Sequence, residues 1–208
     1  DNNEPINFSV PTGNFGDVYA GYLAKKMGLP INKLIVATNQ NDILHRAISH
    51  GEYNVENVLE TISPSMDIQI ASNFERLIFD LNNHSDKKTI DVMKNIKETG
   101  KYEIQKESLD KINVDFLSSR MDEIEVLDTI KSVYKKFDIV LDPHSAIGYG
   151  AFDKVNLKGN NIVLATAHPC KFPGAIEKAI SIKAELPDEL LFILDEKENY
   201  DIIDNDLN

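Results

Sequence analysis

The residues best suited to chemistry lie in the stretch Pro11–Asp17 (PTGNFGD), where two glycines stand three positions apart. Ile6–Val10 alternates apolar and polar residues as a strand does, and apolar residues recur at helical spacing from Phe15 onward. A strand, a glycine turn and a helix N-terminus form an anion site, because unpaired N–H groups and the helix dipole meet there. We therefore predict a phosphate site, although the spacing matches neither the dinucleotide fingerprint nor a Walker loop. The alternative is an ordinary helix start capped by Thr12 or Asn14.

Two further polar segments each follow an apolar run, namely Asp142–Ser145 (DPHS) and Thr166–Pro169 (TAHP). Ligands of open α/β sheets bind outside the carboxyl ends of the strands, so both segments are candidates for contact with a ligand. The alternative for His144 and His168 is a capping or turn role. Cys170 has no paired base nearby in the sequence, which argues against a nucleophilic role.

The histidines do not form a metal-binding pattern. His45 and His50 are five residues apart and do not share a helix face, while Asp80 and His84 have the spacing of a surface pair. The sequence contains neither a CxxC nor an HExxH motif. We therefore predict no metal site.

Composition narrows the class of protein. The chain has 208 residues and a formal net charge of −12, which argues against a nucleic-acid or anionic-membrane partner. It has one cysteine, so an internal disulfide is impossible and an intracellular, cytoplasmic location is expected. The sequence contains no run of 18 apolar residues, so we predict no membrane span. Asp1–Glu4 resembles no signal peptide and lacks an initiator methionine, so we expect a piece of a longer protein.

The elements that must position these residues predict an α/β fold with an open, mostly parallel sheet flanked by helices. Asn32–Thr38, Phe137–Leu141 and Asn161–Ala165 have the apolar character of buried parallel strands. The predicted helices after the first are Asp42–His50, Asn73–Leu81, Lys87–Glu98, Ser108–Arg120, Asp122–Lys136, a helix from near Pro143 and Pro173–Lys183. We interpret the stretch from about 72 to 137 as a mostly helical insertion.

Six motifs in chain order carry a resemblance to a known family. They are Val10–Asp17 (VPTGNFGD), Ala37–Asp42 (ATNQND), Ser63–Ile68 (SPSMDI), Ser72–Arg76 (SNFER), Asp142–His144 (DPH) and Thr166–Phe172 (TAHPCKF). Together they resemble the C-terminal portion of threonine synthase, over essentially all 208 residues. That family depends on pyridoxal phosphate and has the tryptophan-synthase-β-like fold, called fold type II.

The resemblance implies roles for particular residues. Thr166 matches the hydroxyl that faces the pyridine nitrogen of the cofactor. The loop that holds the cofactor phosphate is matched by Gly13, Asn14, Phe15, Gly16 and Asp17. The implied reaction converts O-phospho-L-homoserine and water to L-threonine and phosphate, with the cofactor stabilising carbanions.

The chain also departs from the family pattern. The lysine that forms the Schiff base belongs to a serine-phenylalanine-lysine-aspartate motif in the N-terminal part of the family, and no such motif occurs here. We therefore assign no catalytic residue, name the missing N-terminal half as a partner and expect the fragment to be inactive alone. Two alternatives stay open: a threonine-synthase-like phospho-lyase that adds no water, and a non-catalytic α/β module that binds phosphate ligands.

Overall fold

A computed structural model describes residues 4–205, so the predictions that rest on 1–3 and 206–208 lie outside the described residues. The strands are β1 (Ile6–Pro11), β2 (Ile31–Thr38), β3 (Glu52–Asn54), β4 (Lys101–Glu103), β5 (Phe116–Arg120) and β6 (Asn160–Val163). The helices are α1 (Gly16–Lys26), α2 (Ile43–His50), α3 (Phe74–Leu81), α4 (Asp86–Thr99), α5 (Lys106–Asp115), α6 (Glu123–Phe137), α7 (Pro143–Val155) and α8 (Pro173–Ile180). Short 3₁₀ helices cover Pro64–Met66, Pro169–Lys171 and Asp188–Leu194.

Four strands form a parallel sheet in the order β5-β2-β1-β6. The carboxyl ends of all four strands therefore lie at the same end of the sheet. A second sheet, made of β3 and β4, is a short antiparallel pair. The predicted fold class, an open and mostly parallel sheet flanked by helices, is confirmed.

The two faces of β2 explain where the helices pack. Leu34 and Val36 enter one apolar cluster, which includes side chains of α1, α2, α3 and α5. Ile35 and Ala37 point to the other face and enter a second cluster with side chains of α6, α7 and α8. Because successive strand residues alternate between faces, a continuous apolar run serves both clusters at once.

One predicted helix is wrong in part. The helix predicted for Ser108–Arg120 ends at Asp115, and Phe116–Arg120 is strand β5, because it pairs with the free edge of β2 from Leu34 to Thr38. A tertiary pairing partner outweighs local helical periodicity here.

The strand predicted at Phe137–Leu141 does not form. Helix α6 continues to Phe137 and is closed by Asp138 in the left-handed conformation, at φ 55°. The residues that follow up to the start of α7 have no regular structure. The other predicted strands form, but β6 ends at Val163, two residues before the predicted end at Ala165. Its Asn160–Ile162 part is exposed rather than buried, because β6 is an edge strand of the described sheet.

The segment from about 72 to 137 contains α3, α4, α5 and α6 but also contributes β5 to the main sheet. Its status as a mostly helical insertion in one cofactor-binding portion stays a prediction. Within residues 4–205, no helix is both long enough and apolar enough to cross a membrane.

Candidate functional site

The glycine loop and Thr166 follow the carboxyl ends of two neighbouring strands. The loop follows β1, and Thr166 lies three residues after the end of β6, which pairs with β1 from Ile6 to Ser9. The N–H of Leu164 extends this pairing by donating to the carbonyl of Ser9 at 3.0 Å. Adjacent strands lie about 4.8 Å apart, so the two segments begin side by side. Strand pairing thus brings together two sequence-predicted site segments that lie far apart in the chain.

Helix α1 begins without a side-chain cap. Its N-cap is Phe15, in the left-handed region at φ 68°, with no side-chain capping hydrogen bond. Thr12 Oγ1 donates to the carbonyl of Val10 at 2.6 Å, and Asn14 Oδ1 accepts from Ser72 Oγ at 3.0 Å. Neither Thr12 nor Asn14 caps the helix, so the alternative interpretation of this turn as a capped helix start is wrong.

The uncapped start leaves donors for a ligand. The N–H of Tyr19 donates to the carbonyl of Phe15 at 3.2 Å, which makes it the first bond of the helical ladder. The N–H groups of Gly16, Asp17 and Val18 precede that bond and have no acceptor within the helix. Such N–H groups and the positive end of the helix dipole suit an anion.

Phe15 anchors the loop in the apolar core. Its side chain is fully buried, and its ring centroid lies 5.1 Å from that of Phe74 and 5.7 Å from that of Phe116. A left-handed conformation at a residue other than glycine costs about 1–3 kcal/mol, and it persists only where surrounding contacts determine it. Aromatic packing of Phe15 therefore holds the turn in a conformation that exposes the backbone.

Residues of two other sequence motifs lie close to Gly13 and Gly16. A Cβ added at Gly13 would lie 2.8 Å from the carbonyl oxygen of Ser65, and one at Gly16 would lie 3.3 Å from Asn73 Nδ2. Glycine at 13 is thus required by the close approach of the 63–66 backbone. The result is a narrow cradle of backbone groups whose chemistry fits a phosphate monoester.

A buried polar network holds the 61–67 loop against the end of β2. Asn39 Nδ2 donates to Asp67 Oδ1 at 2.7 Å and to Ser63 Oγ at 2.9 Å. The N–H of Thr61 donates to Asp67 Oδ2 at 2.8 Å. Asn39 and Asp67 lie in the ATNQND and SPSMDI motifs but have no predicted role, although Asn39 follows directly on the apolar run of β2. Their bonds position the loop that packs on Gly13.

Asp142 organises the start of α7 and reaches the Thr166 segment. Asp142 Oδ1 accepts from the N–H of His144 and from His144 Nδ1, both at 2.9 Å. Asp142 Oδ2 accepts from the N–H of Ser145 at 3.3 Å and from the Ser145 hydroxyl. Ser145 Oγ in turn accepts from the N–H of Thr166 at 3.1 Å.

The neighbours of Asp142 stabilise its charged form. Burial raises the pKa, but hydrogen bonds from the His144 and Ser145 side chains, the His144 N–H and the charge of His144 outweigh burial, so the pKa lies below its usual value. The carboxylate is therefore ionised in the folded chain at neutral pH.

The remaining polar residues singled out from the sequence do not join this site. His168 accepts from the N–H of Cys170 at 3.2 Å, so it has the predicted capping role at a short 3₁₀ helix. His84 is exposed and lies 3.1 Å from Asp80, as a surface pair. Among residues 4–205, no group of three or more His, Cys, Asp or Glu side chains is arranged to hold a metal ion.

Comparison with known proteins identifies relatives of this chain. Residues 145–208 match a family model described as threonine synthase, C-terminal. Threonine synthase from Pseudomonas aeruginosa is 42% identical over 205 residues, which cover 97% of this chain and 44% of that protein.

Solved structures give the same result. A structure of pyridoxal-phosphate-bound threonine synthase from Brucella melitensis superposes with a TM-score of 0.92 at 44% identity, covering 98% of this chain and 44% of that one. Yeast threonine synthase superposes with a TM-score of 0.86 at 39% identity, covering 93% of this chain and 43% of that one. The resemblance drawn from the six motifs is confirmed: the chain belongs to the threonine synthase family and spans a little under half the length of the relatives it matches.

Proposed function

We propose that this chain is the part of a threonine synthase that holds the phosphate of pyridoxal phosphate. The observation that carries the proposal is the uncapped start of α1 beside the Gly13 cradle, at the strand end next to Thr166. The backbone N–H groups of the 13–17 loop bind the phosphate, as the family resemblance implies for Gly13, Asn14, Phe15, Gly16 and Asp17. The hydroxyl of Thr166 faces the pyridine nitrogen.

The proposed reaction of the complete enzyme is the conversion of O-phospho-L-homoserine and water to L-threonine and phosphate. When bound, the cofactor would supply an electron sink that stabilises carbanions on the substrate. A neutral hydroxyl at the ring nitrogen, in place of a carboxylate, favours an incompletely protonated ring. Thr166 thereby tunes the strength of that sink. The cytoplasm is the proposed compartment, because the single cysteine suits a reducing environment.

The partner of this chain in that reaction is the remaining part of the protein, which carries the Schiff-base lysine. Support comes from the absent lysine motif and from the 44% share of each relative that the chain spans. The exposed apolar side chains supply a surface for this contact. Ile162 on the edge strand β6 is 41% exposed, and Ile202 and Ile203 near the C-terminal end are 88% and 86% exposed. On this proposal the chain alone binds the cofactor weakly and forms no threonine.

A thermal-shift titration tests the phosphate site in the chain alone. Pyridoxal phosphate should raise the melting temperature by mass action, whereas pyridoxal, which lacks the phosphate, should not. Adenosine monophosphate serves as a phosphate control. Equal stabilisation by the nucleotide would favour a general phosphate-binding module, and no stabilisation by any of the three compounds would contradict the proposed site.

Activity is tested in the complete enzyme with phosphohomoserine as substrate. Threonine and phosphate should appear in equal amounts. Phosphate release without threonine would identify a phospho-lyase and contradict the proposed reaction. A control chain limited to the present 208 residues should show neither product.

A further inference from the structure

A hydrogen-bonded chain joins a buried carboxylate to the backbone of Thr166. Asp142, His144 and Ser145 are 1%, 4% and 2% exposed. The Ser145 hydroxyl donates to Asp142 Oδ2, and the N–H of Thr166 donates to Ser145 Oγ at 3.1 Å. Thr166 itself is exposed, so the bond to Ser145 fixes the backbone of a residue that the surrounding structure does not cover.

The same carboxylate reaches the other end of that segment through His144. His144 Nδ1 donates to Asp142 Oδ1 at 2.9 Å, which orients the imidazole. The imidazole lies against the ring of Phe172, with the two ring centroids 4.7 Å apart. Each oxygen of Asp142 thus controls one contact with the 166–172 segment.

We propose that Asp142 is a positioning residue, which acts through Ser145 and His144 to hold the 166–172 segment and so sets the place of the Thr166 hydroxyl. The proposal rests on the proposed function for what that hydroxyl contacts. The anchoring itself rests only on the hydrogen bonds and the ring contact.

A plain helix cap would not need this arrangement. An N-cap aspartate stabilises its helix by accepting one N–H from the first turn, whereas both oxygens of Asp142 also accept from a side chain. Those side-chain donors contribute nothing to the helix ladder. Their further contacts, to Thr166 and Phe172, both lie in the 166–172 segment.

The hydrogen bonding of His144 also supports a positioning role for Asp142. Nδ1 of His144 donates to the carboxylate, whereas Nε2 is buried and has no hydrogen-bond partner among residues 4–205. A buried polar atom without a partner is unfavourable. The ring therefore takes its place from Asp142 and Phe172 rather than from its own hydrogen-bonding needs.

The first test measures the anchor without any ligand. Ser145→Ala removes the acceptor of the Thr166 N–H, and we expect hydrogen exchange of that amide to become about tenfold faster. Ser145→Thr keeps the hydroxyl and should restore protection. Ser132→Ala is the matched control, because Ser132 is exposed and its hydroxyl donates only to the Thr129 carbonyl of its own helix. Unchanged exchange at Thr166 in Ser145→Ala would overturn the proposal.

The second test separates positioning from a general loss of stability. In the complete enzyme with bound pyridoxal phosphate, Ser145→Ala should shift the pH profile of the cofactor absorbance and lower kcat more than it raises KM, since the phosphate loop is intact. Ser145→Thr should return both values toward wild type. A wild-type pH profile and kcat in Ser145→Ala would overturn the role of the anchor toward Thr166. If the wild-type enzyme binds no pyridoxal phosphate, the proposed function fails, while the exchange experiment still decides the anchor.

His144→Phe provides an independent variant should Ser145→Ala fail to fold. It keeps an aromatic ring beside Phe172 but removes the Nδ1 donor to Asp142. We expect faster amide exchange within 166–172 and unchanged exchange in β2. Wild-type protection throughout 166–172 would contradict the role of His144.

Discussion

Replacing Gly13 by alanine tests whether the 63–66 backbone approaches the loop before α1 as closely as the structure indicates. The added Cβ would lie 2.8 Å from the carbonyl oxygen of Ser65 and 3.2 Å from the Cα of Met66. Both contacts are with backbone atoms, which cannot move aside as the end of a flexible side chain can. Either the loop after β1 or the 63–66 segment must therefore shift.

The magnitude follows from the cost of inserting a methyl group into a packed region, about 1–3 kcal/mol. For a chain of this size, each kcal/mol lowers the melting temperature by about 2–4 °C. We therefore expect Gly13→Ala to melt about 2–12 °C below wild type. The buried bonds of Asn39 to Ser63 and Asp67 resist movement of the 63–66 segment, which favours the upper part of that range.

The assay is thermal unfolding followed by circular dichroism, with and without pyridoxal phosphate. Gly174→Ala is the matched control, because nothing lies within 4 Å of a Cβ added there and its φ is not positive. This control should unfold within about 0.5 kcal/mol of wild type. Gly13→Ala should also lose most of the stabilisation by the cofactor, since any shift of the loop moves the N–H donors.

A melting temperature equal to that of wild type would refute the close approach of the 63–66 backbone to Gly13. A lower melting temperature with full stabilisation by pyridoxal phosphate would refute the link between this loop and the phosphate.

Three other perturbations have defined outcomes. The folded-state pKa of Asp142 is lowered, because hydrogen bonds from His144 and Ser145 outweigh the opposing effect of burial. The contribution of Asp142 to stability is therefore present above the unfolded carboxyl pKa of about 3.9 and is lost as pH falls through the lower folded value. Asp142→Asn should therefore flatten the acid limb of a curve of stability against pH. An acid limb unchanged from wild type would contradict this. Phe15→Ala should lower the free energy of unfolding by about 3–5 kcal/mol in urea denaturation, and a loss under 1 kcal/mol would show that the turn does not depend on its aromatic contacts. Asn39→Ala should cost about 1–3 kcal/mol in the same assay, and a variant as stable as wild type would show that the bonds of Asn39 do not hold the 61–67 loop.

Local patterns were sufficient to predict much of the fold and the glycine loop of the candidate site. The turn at Pro11–Asp17 was predictable because its strand, glycines and helix are consecutive in the chain, and the apolar run of β2 was predictable because both faces of that strand are buried. Helix boundaries near Pro143 and Pro173 followed from proline at the first turn.

Other features depended on partners distant in sequence. Phe116–Arg120 has the periodicity to continue a helix, but the open edge of β2 makes it a strand. Phe137–Leu141 has the apolar composition of a strand, but it pairs with no strand among residues 4–205. Its first residue, Phe137, is the last residue of α6. Composition describes what a segment can bury, whereas pairing depends on which edge is available.

The sequence by itself predicted an anion site in the loop before α1 and determined the family of the chain, because both inferences depend on short motifs whose order and spacing are visible. Only the tertiary structure decided that α1 starts without a side-chain cap, and that Asp142, through Ser145, reaches Thr166, which lies 21 residues beyond Ser145. A hydrogen bond between residues so far apart depends on how α7 packs against the sheet and on β6 pairing with β1. Neither arrangement leaves a periodic signal in the chain, because both arise from burial and strand pairing of the folded whole.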